Sequence, residues 1–321
     1  MHAPAHSLSV DSAFRADVLA GLAAPIPAIP ARWLYDRRGS ELFEAITALP
    51  EYYLTRADTA LLAAHSPDVA GIAGQGAVVV EFGSGSSAKT PLLIEAVRPA
   101  AYVPIDISGD FLAESVAELG KRFPGLPIHP VAADFTRPIA LPQGLPDAPR
   151  LGFFPGSTIG NFVAASAVDL LRRMKATLGA GSHLLIGMDR VKDPRTLLAA
   201  YDDAEGVTAE FNLNLLHRIN RELGGTIPLE AFRHKAVWSD SWSRIEMHLE
   251  AVRDVAFTVD GVSFAMKAGE TIHTENSHKY DPRGGRLLLQ AGGWAPVAEW
   301  SDSDGLFALI LAEAEAPRFA P

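Results

Sequence analysis

Residues Val78-Val79-Val80-Glu81-Phe82-Gly83-Ser84-Gly85-Ser86-Ser87-Ala88-Lys89-Thr90 constrain the fold more than any other stretch. A β-branched run ends in an acid, breaks into a glycine-serine turn and leads into Pro91-Leu92-Leu93-Ile94-Glu95-Ala96-Val97. Strand, tight loop and helix N-terminus together predict the first β-α unit of a doubly wound nucleotide-binding sheet. Gly83 and Gly85 carry no Cβ, so the backbone can turn sharply there and lie against a ligand.

Spacing alone leaves the ligand open. Gly83-x-Gly85-x-x-Ala88 fits G-x-G-x-x-G/A, and Asp106 stands where a ribose-binding acid belongs, so a nicotinamide oxidoreductase is one reading. Charge discriminates better. A dinucleotide would set a pyrophosphate on the loop, where Glu81 is an unfavourable neighbour. S-adenosylmethionine has no phosphate and carries a sulfonium and an ammonium. Asp106 follows Tyr102-Val103-Pro104-Ile105 and Asp134 follows Val131-Ala132-Ala133, both at predicted strand ends. A crevice lined by Glu81, Asp106 and Asp134 suits a cationic cofactor.

A chain of 321 residues holds one large or two ordinary domains. No apolar run reaches the roughly 18 residues of a membrane span. The start, Met1-His2-Ala3-Pro4-Ala5-His6, lacks the pattern of a secretion signal, so a cytoplasmic enzyme is expected. The absence of cysteine excludes disulfides, thiolate metal sites and cysteine nucleophiles. A net charge of −10 argues against general nucleic-acid binding. No membrane partner is expected, and a monomer is favoured.

Residues up to about 57 read as mostly helical, interrupted by Pro25, Pro27 and Pro30. Ser40 is the expected cap of a short helix over Glu41 to Ile46, and Thr55 of the next, through Ala60-Leu61-Leu62-Ala63. From 78 to about 190 strand and helix alternate. The fourth strand ends in Phe153-Phe154-Pro155-Gly156-Ser157-Thr158-Ile159-Gly160-Asn161, where Asn161 either serves the crevice or caps the next helix. His183 to Asp189 is the fifth strand.

Between about 191 and 279 two helices precede segments of period two, read as an antiparallel meander with an Asp260-Gly261 turn. This block reads as an inserted substrate domain. A helix near Arg286 and strands Trp294 to Trp300 and Leu306 to Ala312 then close the sheet with an antiparallel hairpin. The expected class is α/β, a class I methyltransferase (Rossmann-like) doubly wound sheet plus an inserted α+β substrate-binding domain. Residues 58–190 and 280–321 would form the cofactor domain, and 1–57 with 191–279 the substrate-recognition domain.

The motifs Trp33-Leu34-Tyr35-Asp36-x-Arg38-Gly39-Ser40-x-Leu42-Phe43, Leu49-Pro50-Glu51-Tyr52-Tyr53-x-Thr55-Arg56, Gly83-Ser84-Gly85-Ser86, Gly156-Ser157-Thr158-Ile159-Gly160-Asn161, Ala200-Tyr201-Asp202-Asp203, Ile245-Glu246-Met247 and Thr274-Glu275-Asn276-Ser277-His278-Lys279-Tyr280 share one resemblance. Over nearly its whole length the chain resembles the ergothioneine-pathway L-histidine Nα-methyltransferase family. That implies three methyl transfers from S-adenosylmethionine to the α-amine of histidine, giving hercynine and S-adenosylhomocysteine. An amino acid of another kind, such as a tryptophan derivative, is the alternative within the class.

By this resemblance Gly83, Lys89, Asp106, Asp134 and Phe135 hold the cofactor, with Tyr35 near its aminoacyl end. Lys89 either reaches the methionyl carboxylate or is a solvated helix residue. Asn161 and Tyr201 would bind the substrate's carboxylate and amine, lined by Phe43 and Gly156. Tyr52, Glu275 and Ser277 would meet the imidazole, and Met247 would pack on it. The bland reading of Glu275 is an exposed strand-end acid beside Lys279. Tyr35 and Asn161 are the groups expected to align the reactants, with no obligatory base, because a sulfonium leaving group needs no protonation. No metal is expected: His273 and His278 would point to opposite strand faces. His217 and His248 are expected at the surface, and Arg37, Arg38 and Arg56 in salt bridges or solvent.

Overall fold

A computed structural model describes residues 11–315. The segment Met1 to His6, considered above for a secretion signal, lies outside the described residues. The strands in chain order are β1 (Val78–Phe82), β2 (Ala101–Asp106), β3 (Val131–Ala132), β4 (Arg150–Phe154), β5 (His183–Asp189) and β6 (Phe232–Ser239). There follow β7 (Arg244–Ala251), β8 (Val255–Val259), β9 (Val262–Met266), β10 (Thr271–His278), β11 (Trp294–Ser301) and β12 (Phe307–Ala314). Among the described residues, no helix is long and apolar enough to cross a membrane.

The chain divides into two compact units. The larger comprises Glu44–Ala200, Trp238–Ile245 and Asn276–Pro321. It contains a seven-stranded sheet of order β11-β12-β5-β4-β1-β2-β3. Strands β1 to β5 run parallel, whereas β12 pairs antiparallel with β5 and β11 antiparallel with β12. This is the expected class I methyltransferase sheet with its closing hairpin. Its β1 alternates cleanly: Val78, Val80 and Phe82 enter one buried cluster with Leu170, Leu171 and Trp294. Val79 enters the opposite cluster with Leu61, Leu62, Leu93 and Phe153. Helices therefore cover both faces, and the C-terminal ends of the parallel strands remain to build a site.

The smaller unit comprises Met1–Phe43, Tyr201–Val237 and Glu246–Glu275. In it Phe14 and Trp33 pack with ring centroids 5.1 Å apart, and the Arg218 guanidinium lies over Phe14 at 4.4 Å. Strands β8 and β9 form a hairpin whose turn residues Asp260 and Gly261 have φ of 51° and 77°. Two positive φ values match the twist of the strands, as the Asp-Gly pair predicts. The expected meander is corrected here: β8 pairs with β9 alone, while a separate sheet runs β10-β7-β6. The sequence pattern of period two marked the strands but not their partners.

Two helix starts differ from expectation, and the open reading of Asn161 as a helix cap is removed. The helix Arg37–Thr47 begins before Ser40 because the Asp36 carboxylate accepts the Gly39 amide at 2.8 Å. Thr55 lies inside Tyr53–Ala73, which starts two residues earlier. There Arg56 is neither salt-bridged nor free: its guanidinium donates to the carbonyls of Leu49 at 2.8 Å and Pro50 at 2.6 Å, clamping the preceding turn. The helix Ala164–Leu178 is capped by Val163, without a side-chain bond, so Asn161 is not its cap.

Candidate active site

In the larger unit the loop after β1 is shaped by two positive-φ glycines, Gly83 at 72° and Gly85 at 50°. A Cβ on Gly83 would stand 3.2 Å from the Phe135 ring and strain the positive-φ backbone, so glycine suits this position. The Asp106 carboxylate, at the end of β2, accepts the Gly85 amide on Oδ2 and the Ser108 amide on Oδ1, each at 2.9 Å. Burial pushes its pKa up against these backbone bonds. Each oxygen retains a second lone pair, as a ribose diol acceptor must.

Asp134 stands two residues beyond β3, and its Oδ1 accepts the Thr136 amide at 2.9 Å and the Thr136 hydroxyl at 2.5 Å. Phe135 packs edge-on to Phe154 with centroids 5.6 Å apart. Gly83, Asp106, Asp134 and Phe135 thus sit around the C-terminal ends of β1 to β4, all in one unit. An open glycine cradle beside two acids fits a cofactor carrying positive charge and a diol.

The third acid does not line this crevice. Glu81 is buried, and its Oε2 accepts the hydroxyls of Tyr102 at 2.6 Å and Thr90 at 2.8 Å. Burial drives its pKa up to about 7 despite those bonds. The expected three-carboxylate wall is therefore corrected to Asp106 and Asp134.

Lys89 is not the solvated helix residue of the second sequence alternative. Its ammonium donates to Oδ2 of fully buried Asp58 at 2.6 Å, and the same oxygen accepts the Gly156 amide at 2.9 Å. Gly156 has φ of 74° and opens toward the Lys89 ammonium. Asp58 was missed because an acid within the helix Tyr53–Ala73 carries no motif of its own. Asn161, half-buried, ends the short 3-10 helix Thr158–Asn161 that follows the Gly156 turn.

Tyr52 is buried at the start of the helix Tyr53–Ala73. Its neighbour Tyr53 donates to the buried Asp189 carboxylate at 2.8 and 2.9 Å. Lys192 reaches the same carboxylate at 2.5 Å, and Lys279, fully buried, at 2.7 Å. The Lys279 ammonium also donates to Ser277 Oγ at 2.7 Å. Of this network sequence reasoning gave a site role only to Ser277. Asp189 closes β5 as Asp106 closes β2, a signal that could have found it.

The smaller unit holds the remaining predicted residues. Tyr35 packs edge-on to Phe43 and Phe211, with centroids 5.6 and 5.4 Å apart. Phe211, on the helix Val207–Glu222, completes an aromatic trio that the motifs did not single out. Tyr201 is buried, and its carbonyl lies 2.8 Å from His234 Nε2. Met247, on β7, is buried, and its carbonyl accepts the Thr274 hydroxyl at 3.0 Å. Glu275 is 8 % exposed and lies inside β10, which removes its reading as an exposed strand-end acid.

His217 is exposed, as expected. His248 is not: it is half-buried, stacked on His273 at 4.8 Å and 22°, with Nε2 3.1 Å from Glu246. Glu246, His248 and His273 bring ligand-capable atoms within 4.8 Å of one another. Stacked imidazoles hold their nitrogen lone pairs in nearly parallel planes, which do not converge on one ion, and no metal is assigned there.

The chain is similar to known proteins over most of its length. The family described as histidine-specific, S-adenosylmethionine-dependent methyltransferases matches residues 14–314. A histidine N-alpha-methyltransferase of Mycolicibacterium smegmatis is 41% identical over 320 residues, covering 96% of this chain and 98% of that one. Ergothioneine biosynthesis protein 1 of Neurospora crassa is 29% identical over 283 residues, covering 85% of this chain and 32% of its own. Among solved structures, an S-adenosylmethionine-dependent methyltransferase from Clostridium acetobutylicum superposes with TM-score 0.50 at 10% identity. That match covers 86% of this chain and 99% of the other, and it speaks for the fold alone.

Proposed function

Because the chain belongs to the histidine-specific, S-adenosylmethionine-dependent methyltransferases, we propose that it methylates the α-amine of L-histidine three times to give hercynine, opening ergothioneine synthesis. Family membership retires the nicotinamide reading that glycine spacing had left open. S-adenosylmethionine supplies a methyl group on a positively charged sulfur. Asp106 accepts its ribose hydroxyls, Asp134 its adenine amine, and the Phe135 amide donates to the ring. Gly83 leaves room for it, Lys89 answers its carboxylate, and Tyr35 faces its aminoacyl end.

On the substrate side, Asn161 and Tyr201 take the carboxylate and amine, with Phe43 and Gly156 beside them. Tyr52, Glu275 and Ser277 receive the imidazole, and Met247 packs on it. Tyr35 and Asn161 align the amine for in-line attack, and exclusion of water supplies much of the rate. The growing quaternary ammonium is tolerated by the π faces of Phe43 and Tyr52. The reading assigns residues 58–190 and 280–321 to the cofactor and 1–57 with 191–279 to substrate recognition. A monomer acting in the cytoplasm, where free histidine and the methyl donor are both met, completes it, with neither nucleic acid nor membrane as partner.

The observation that supports this reading most is the burial of Glu275 and Ser277, two residues apart on β10. Alternation along a strand turns both side chains to one face, a carboxylate and a hydroxyl for two ring nitrogens. Purified protein supplied with S-adenosylmethionine and histidine should yield products one to three methyl groups heavier by mass spectrometry. Unchanged histidine, or faster methylation of a tryptophan derivative, would overturn the assignment.

A further inference from the structure

We infer that Lys279 is a positioning residue: it fixes the Ser277 hydroxyl as a hydrogen-bond donor, so that the site selects the neutral imidazole of its substrate. The inference rests on the imidazole reading of Ser277 given above. An ammonium donates and never accepts, so at 2.7 Å Ser277 Oγ must be the acceptor of the Lys279 proton. The one proton of the hydroxyl is thereby directed away from Lys279. A ring nitrogen meeting that proton needs a lone pair. Neutral imidazole offers one; imidazolium presents N–H on both sides and would set donor against donor in a buried place, a costly mismatch.

The two lysines near Ser277 act in the same direction. Lys279 is fully buried and shares the Asp189 carboxylate with Lys192 and the Tyr53 hydroxyl, at 2.7, 2.5 and 2.8 Å. Two ammonium groups on one carboxylate leave positive charge beside Ser277. Its effect is visible at Lys192, whose pKa falls to about 8, chiefly through burial and in part through Lys279. Glu275, two residues before Ser277 on β10, acts oppositely, since a carboxylate accepts from a ring N–H and favours a charged ring. The decisive quantity is therefore the difference between variants.

Histidine labelled with ¹⁵N in the imidazole, bound together with S-adenosylhomocysteine, reports the protonation of the bound ring by NMR. K279M should raise the pKa of the bound ring by about one unit relative to wild type, because donor bias and positive charge leave together. S277A should raise it in the same direction, K279M/S277A should add little beyond K279M, and K279R, which also only donates, should keep the wild-type value. A K279M protein that binds histidine with an unshifted ring overturns the inference. Should K279M not fold, an unshifted ring in S277A overturns it equally. Failure of the wild type to methylate histidine would instead strike the proposed function itself, a result distinct from variants that bind with an unshifted ring.

Discussion

The Lys89 ammonium donates to the Asp58 carboxylate at 2.6 Å, on the same oxygen that accepts the Gly156 amide. One buried acid thus ties the helix that follows the glycine loop to the turn that follows β4. Removing it leaves a cation and an amide without their acceptor in a largely dry place. Asp58→Ala should lower stability by about 3 kcal/mol, within the range for breaking a buried pair. Asp58→Asn, which keeps an acceptor oxygen, should cost about half as much. Urea unfolding measures both, and calorimetry should show S-adenosylhomocysteine binding weakened by about tenfold in the alanine variant.

Glu81 should make stability depend on pH. Burial raises its folded pKa to about 7 from an ordinary 4.5. The protonated acid therefore favours the folded state. Its contribution is complete below the unfolded value and is lost as the pH rises through about 7, a change of about 3 kcal/mol. Glu81→Gln keeps an acceptor for Tyr102 and Thr90 without the titration. Between pH 5 and 8 the wild type should lose more stability than this variant, and parallel curves would refute the assignment.

Gly83→Ala meets two obstacles, a φ of 72° and the Phe135 ring 3.2 Å from the new Cβ. A cost of about 1–2 kcal/mol is expected from the backbone and the displaced ring together. Thermal unfolding checks the stability, and titration with S-adenosylhomocysteine should show the larger loss if this backbone faces the cofactor.

Glu275→Ala should cut kcat/KM for histidine by about 10²- to 10⁴-fold, the scale on which a site built to pair a polar group loses its partner. Turnover of tryptophan should fall far less or rise. Steady-state kinetics on both amino acids decide this, and equal losses on the two would remove Glu275 from imidazole recognition.

How much of this was legible beforehand depends on the range of each interaction. The glycine turn, the acids at strand ends and the closing hairpin are local patterns, and the sheet follows them closely; β5 runs from His183 to Asp189 as read. Glu81 misled because a strand-end acid looks the same whether it faces a crevice or the hydroxyls of Tyr102 and Thr90. The contacts of Asp58, Asp189 and Lys279 were unreadable for a related reason. Their partners lie 31, 136 and 90 positions away, at Lys89, Tyr53 and Asp189, and only the folded chain brings such distances to contact. The family motifs contain both Ser277 and Lys279 but do not show that the ammonium donates to the hydroxyl.

The two compact units exchange the chain five times, after Phe43, Ala200, Val237, Ile245 and Glu275. Neither is a continuous stretch of gene, so no single cut or splice can transplant one onto another host. A lineage drifting to a new amino acid would have to do so one codon at a time, within strands such as β7 and β10 whose other residues are already committed to the architecture.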